Sequence, residues 1–220
     1  KVFRLEDCEP NVVEILPVLR SKSKLIIIKL SPMLDISQAL HSLEGTWDVH
    51  IVAVKNEVKE VLLVSDLDRY HPVTTTEGYR RDNEGMVYAT NMLTTSDTPV
   101  GFSFSRSEER EAQCEYYDGS REELISAGAY VYEPNAAIIK AGAFKLVAQR
   151  YGLCKMAPNT HLYLSKELVK DFPGRVWQIL ESNIKDAKNT QASILTRNYP
   201  LTPEQLRKKL KIKDDDTHTI

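Results

Sequence analysis

LIIIKLSPMLDI, residues 25–36, is the stretch on which the fold turns. Leu25 to Ile28 form an unbroken apolar run, Lys29, Ser31 and Pro32 interrupt it, and a helix is expected to begin near Met33. A strand without polar alternation is normally covered on both faces, as in the centre of a parallel α/β sheet. Such a strand needs neighbours, and the residues before it supply at most one short strand and one helix. The stretch is therefore expected to belong to a larger sheet, with one flank open where further strands would pair. That flank calls for a second copy of the chain in a homodimer, for the preceding helix folded across it, or for a loosely packed N-terminal part.

On the N-terminal side, Lys1 to Leu5 reads as a strand end, and Val12, Val13, Leu16 and Leu19 have the spacing of one buried helix face, with Pro17 a kink or early stop. On the other side, Leu34, Ile36, Leu40 and Leu43 predict an amphipathic helix closing at Gly45. Trp47 to Val54 and Val58 to Val64 then predict an antiparallel hairpin turning at Lys55, Asn56 and Glu57. Ser65 to Gly85 reads as a loop, Met86 to Leu93 and Val100 to Phe104 as strands joined by turn chemistry, and the acidic SEEREAQCEYYDGSREE as a connector.

The second half changes character at YVYEPNAAIIKAGAFKLVAQRYGL. Asn135, or Glu133 and Pro134 before it, is expected to start one helix carrying Ile139, Ala143, Leu146 and Val147, closed by Gly152. His161 to Ser165, Arg175 to Glu181 and Gln191 to Pro200 read as strands. Thr202, Pro203 and Gln205 spell a capping box with proline at the first helical position, and DDDTHTI reads as a turn entering another strand.

A content of 42% hydrophobic and 27% charged residues fits a globular protein of one to three domains. Cys8, Cys114 and Cys154 are too scattered for a disulfide framework or a zinc site, so a reducing cytoplasm and no metal are expected. No apolar run approaches the ~20 residues of a membrane span. The total charge of -2 hides two opposed regions. Residues 77–123 hold five arginines against eleven acids, whereas residues 136–213 hold fifteen lysines and arginines against five acids. A basic module with interspersed aromatics (Tyr151, Tyr163, Trp177, Tyr199) suits a phosphate backbone or an unpaired base, and equally suits a solvated face over ordinary core aromatics.

LEDCEPN, KLSPMLDI, KNEVKE, YVYEPNAAIIKAGAF, PNTHLYLS, FPGR and LTRNYPLTPEQLRKKLKIKD, in that order, resemble the C-terminal part of a bacterial family of class I S-adenosylmethionine-dependent methyltransferases with ferredoxin-like and THUMP-like C-terminal domains. The resemblance is weakest between Ser65 and Gly128. It implies an α/β plus α+β chain: the late strands of a truncated Rossmann-like sheet over 1–95, an acidic connector over 96–128, a ferredoxin-like segment over 129–175 and a THUMP-like domain over 176–220 that is expected to be incomplete at its C-terminus. It also implies S-adenosylmethionine as the parent enzyme's cofactor and RNA, tRNA or rRNA, as its partner. The glycine-rich cofactor loop and catalytic loop of that family are not among these residues, so catalytic residues are expected upstream of Lys1, no cofactor is expected bound here, and the fragment alone is expected to be inactive. The alternative is a non-catalytic module that binds RNA or protein.

Ligands of a doubly wound sheet sit at the carboxyl ends of its strands. Lys29, Ser31 and Asp35 after the apolar strand, and Asn56 and Glu57 at the hairpin turn, are the substrate-side candidates; Ser31 could equally cap a helix and the turn residues merely turn. Lys29 stands out because a lysine inside an apolar run needs a reason. His161 lacks a nucleophile at recognisable spacing and reads as a histidine at a strand start. Arg175, Arg197, Arg207, Lys208, Lys209 and Lys211 are the candidates for nucleic-acid contact.

Overall fold

Helix starts and turn residues set the order of elements. The computed structural model describes residues 4–69, 85–93, 98–180, 187–197 and 199–220. Asn11 caps α1 (Val12–Lys22) by accepting the Val13 amide at 3.1 Å, and the helix continues through Pro17 rather than stopping there. Of the expected strand end at residues 1–5, Leu5 instead opens a single turn of 3-10 helix, and the rest lies mostly outside the described residues. β1 (Leu25–Leu30) follows, then α2 (Ile36–Ser42), whose N-cap is Asp35, and then β2 (Asp48–Val54) and β3 (Glu57–Asp66). Between them Lys55 and Asn56 both have positive φ, 51° and 63°, the twist-matched geometry of a tight hairpin. β4 (Met86–Met92) and β5 (Val100–Ser105) are strands as their sequences predict, and α3 (Arg106–Glu111) begins at the Ser105 capping box. The loop expected over 65–85 and the turn at TTSDTP fall largely outside the described residues.

The five strands lie in the order β1-β3-β2-β4-β5, with β2 and β4 parallel and every other pair antiparallel. Among the described residues β1 is thus an edge strand with an antiparallel neighbour, not a central strand covered on both faces. Its burial alternates: Ile26, Ile28 and Leu30 are buried while Leu25, Ile27 and Lys29 face outward. Composition misleads here because three consecutive isoleucines hide a period of two. The edge position does agree with the expected open flank. Val49, Ile51, Ala53, Val61, Leu63, Val87, Ala89, Phe102 and Phe104 continue the buried face. On the opposite, half-exposed face His50 stacks on its register partner Tyr88, ring centroids 4.6 Å apart.

The chain then alternates between two compact units. The first is residues 1–112 together with 135–144; the second is 113–134 together with 145–220. The segment that returns to the first unit is α5 (Ala136–Ala141), which follows α4 (Arg121–Ser126) and β6 (Tyr130–Pro134) in the chain and packs against β2, β3 and β4. The sequence predicts one continuous helix to Gly152. Gly142, at φ 78°, instead ends α5 in a left-handed cap, and α6 (Phe144–Tyr151) starts anew and belongs almost wholly to the second unit.

In the second unit β7 (Cys154–Ala157), β8 (Thr160–Ser165), β6 and β9 (Gly174–Gln178) form a four-stranded antiparallel sheet in that order. The strands at His161 to Ser165 and from Arg175 are legible in the sequence; β6 and β7 are not. Tyr132 and Tyr163 are fully buried, and the Tyr132 hydroxyl donates to the Glu167 carbonyl at 3.0 Å and accepts the Val169 amide at 2.8 Å. Phe172 meets both Tyr132 and Tyr151 edge to face, at 5.1 and 5.3 Å. Among the described residues of 191–200 the expected strand does not form: Gln191 and Ser193 make only single parallel bridges, to Lys213 and Thr219. α7 (Pro203–Leu210) has the capping box read from its sequence, with Thr202 and Gln205 bonding each other's backbone amides.

Candidate nucleic-acid interface

The substrate-side candidates are all in the first unit, and their geometry is that of turns and caps. Lys29 owes its place in the apolar run to strand alternation: it points outward and pairs with Glu60 at 3.0 Å, an exposed ion pair worth at most about 1 kcal/mol. The Ser31 hydroxyl accepts the Met33 amide at 3.2 Å and turns the chain. Asp35 Oδ1 accepts the Gln38 amide at 2.8 Å as the cap of α2. Glu57 pairs with Lys59 at 2.6 Å. Asn56 is the structural centre of the group. Its amide donates to the buried Asn91 side chain at 3.1 Å, and its own Oδ1 accepts the Ala136 amide at 2.7 Å, stitching the hairpin turn to the start of α5.

Asp35 also lines a cleft of about 160 Å³ with Arg106 and Lys140, whose ammonium donates to the Leu34 carbonyl at 2.7 Å. Nothing in the sequence singles out Arg106 and Lys140, because only tertiary packing brings the start of α3 and the end of α5 beside Asp35. The cleft is well below the ~300–1,000 Å³ of ordinary small-molecule sites.

In the second unit the six cationic candidates divide into two kinds. Arg175 and Arg197 converge on Glu133, a carboxylate only 2% exposed on β6. Arg175 Nε donates to one carboxylate oxygen at 3.1 Å and Arg197 Nε to the other at 2.7 Å, while a second nitrogen of each closes the fork. Glu133 therefore does not start a helix; the cap is Asn135, whose Oδ1 accepts the Ala137 and Ile138 amides. Arg175 also lies over the Trp177 ring, 5.2 Å from its centroid. Both arginines are committed to holding the sheet. Arg207 is paired with Asp214 at 2.6 Å. Lys208, Lys209 and Lys211, by contrast, are exposed on and just after α7, with no ion pair among the described residues.

The aromatics divide likewise. Tyr163 is core, Tyr151 is packed on Phe172, and Trp177 donates to the Thr219 hydroxyl at 3.1 Å, so among the four only Tyr199, 48% exposed, offers a largely free ring.

Burial first, and the buried Lys155 ammonium second, lower the pKa of His161, near the start of β8, below the ordinary 6.5. The unfolded chain takes up a proton below about pH 6.5 that the folded unit resists, so stability falls as pH drops through that value. His161→Gln should flatten the decline in urea midpoint between about pH 7 and 5.5, a range above the ordinary titration of the carboxylates.

Residues 130–173 match a ferredoxin-like domain family, and residues 174–220 match a THUMP domain-like family. The second half of the chain carries these two domains. The match boundary falls at Gly174, where β9 begins, so the antiparallel sheet is built from both: β9 of the THUMP-like domain pairs with β6 of the ferredoxin-like one. Across 99% of its length the chain also superimposes on the crystal structure of a protein described as a "putative methyltransferase" from Porphyromonas gingivalis W83, with a TM-score of 0.81 and 35% sequence identity. It covers 52% of that chain, so it spans about half the length of that protein. No curated protein matches the sequence. The mixed sheet followed by an antiparallel one, expected as late methyltransferase strands plus an α+β module, is borne out at the level of fold. Among the described residues no helix is long and apolar enough to cross a membrane, and no group of three or more histidine, cysteine, aspartate or glutamate side chains is placed to hold a metal.

Proposed function

We propose that this chain is the C-terminal portion of an S-adenosylmethionine-dependent methyltransferase acting on RNA, and that its THUMP-like domain grips the RNA through the lysines of α7. The observation that carries the reading is the conjunction of 35% identity to a methyltransferase-like structure along 99% of the chain with a THUMP-like domain that exposes Lys208, Lys209 and Lys211 together on and just after α7. The outer edge of β1, unpaired among the described residues, is where further strands of a catalytic sheet would add.

The described residues do not themselves fit an adenosyl cofactor. No glycine-rich turn joins a strand to a helix in the sequence, and the cleft beside Asp35 is too small for a nucleoside with its amino-acid arm. No chemical step is therefore assigned to these side chains, and this stretch on its own transfers no methyl group. Isothermal titration of the chain with S-adenosylmethionine should show no low-micromolar binding; such binding would overturn that part of the reading.

Binding is tested with the lysines. Lys208→Glu, Lys209→Glu and Lys211→Glu together should weaken the association of this chain with a single-stranded RNA by more than tenfold at low salt. The salt slope should fall by ~0.7 for each phosphate that a lysine no longer neutralises. An unchanged affinity and slope would refute RNA binding through α7. Arg207 is left intact because its loss would also free Asp214.

A further inference from the structure

The second unit has a groove lined by Leu162 of β8, Leu195, Leu206 of α7 and Ile220, and completed by Tyr199 and Arg197. We propose that this groove takes one unpaired nucleobase of a bound RNA, stacked on the Tyr199 ring. The inference rests on the RNA-binding reading above and adds to it a place where a base, rather than a phosphate, is held.

Three observations fit a base and its backbone. The lining is mostly apolar and holds about 190 Å³, room for a ring system but short of the ~300–1,000 Å³ of a whole small-molecule site. Tyr199 leaves nearly half of its surface in water, an aromatic platform of the sort on which single-stranded nucleic acids stack irrespective of sequence. Arg197 is 40% exposed yet fixed in orientation, since Glu133 accepts from its Nε at 2.7 Å, so its planar group forms a preset wall.

Charge complementarity selects the occupant. Leu206 lines the groove, and Lys209, three residues on, shares that side of α7, with Lys208, Lys211 and Lys213 exposed nearby in the chain. An apolar recess flanked by exposed lysines matches a base whose sugar-phosphate backbone stays outside. A protein partner would favour an interface depleted of lysine.

The test uses this chain and a short single-stranded RNA carrying the fluorescent base 2-aminopurine at its centre. Stacking on Tyr199 should quench the fluorescence on binding. Tyr199→Ala should abolish the quench and weaken binding about tenfold without altering the salt slope, whereas Tyr199→Phe should keep both. An abasic ribose at the same position should weaken wild-type binding to the same degree and leave Tyr199→Ala unaffected. Salt-sensitive binding with a quench indifferent to Tyr199→Ala overturns the groove while leaving the functional reading intact. Failure of the wild-type chain to bind RNA at all removes the functional reading and the nucleobase with it, and leaves a protein side chain as the groove's occupant.

Discussion

Replacing Arg175 and Arg197 together by alanine should destabilise the second unit by about 3–5 kcal/mol. Glu133 lies on β6 with 2% of its surface exposed, and its two carboxylate oxygens are taken one each by the two guanidinium groups. With both removed, a buried charge is left without a counter-ion, and desolvation is no longer offset. Either single substitution leaves one fork in place and should cost less, about 1–3 kcal/mol. Adding Glu133→Gln to the double variant should recover part of the loss, because a neutral amide is cheaper to bury than a carboxylate. Urea denaturation followed by fluorescence reads the result as a shift in midpoint at constant slope. A double variant within about 0.5 kcal/mol of the parent would show that the cluster holds nothing together. RNA binding lost in an Arg175 or Arg197 variant would then report on the sheet before it reported on a nucleic-acid contact.

Gly174→Ala should cost about 3 kcal/mol or more, by a backbone clash that no rotamer relieves. Gly174 faces Pro134 in the register of β9 on β6, and a Cβ there would stand 2.0 Å from the Glu133 carbonyl oxygen and 2.7 Å from the Phe172 ring. The strand would have to withdraw from β6, and Arg175, the next residue, would withdraw from Glu133 with it. Gly101→Ala is the matched control: it is also a strand glycine, but among the described residues no atom beyond its chain neighbours lies within 4 Å of its Cβ position, so a change within about 0.5 kcal/mol is expected. Equal urea midpoints for the two variants would contradict the close approach of β9 and β6.

The two cases show where a linear reading stops. FPGR stands in the sequence as one motif of a resemblance, and nothing in four residues says that the glycine is there to let a second strand pass. Likewise Arg175 and Arg197 read as surface cations because a strand sequence does not reveal that a glutamate is buried opposite. The unforeseen strands β6 and β7 are short, and β6 ends in Glu133 and Pro134, which in isolation spell the start of a helix. The unforeseen break at Gly142 divides one apparent helix between two units, since the spacing of apolar residues continues across a glycine that the backbone does not.

Local chemistry is fully legible where its partners are local. The Thr202 capping box, the hairpin turn at Lys55 and Asn56 and the alternation of Val100 to Phe104 each depend on residues a few positions apart, and each is in the chain to be read. The order of elements around residues 25–36 is legible for the same reason, as is the change from an acidic to a basic half. Tertiary structure alone decided that β1 is an edge strand, that α5 belongs with the first sheet, that two of six candidate cations are bound to one buried carboxylate and that Tyr199 borders an apolar groove. The physical reason is common to all four: burial and pairing are set by residues dozens of positions away, and a linear pattern records a side chain's own chemistry but not the groups brought against it.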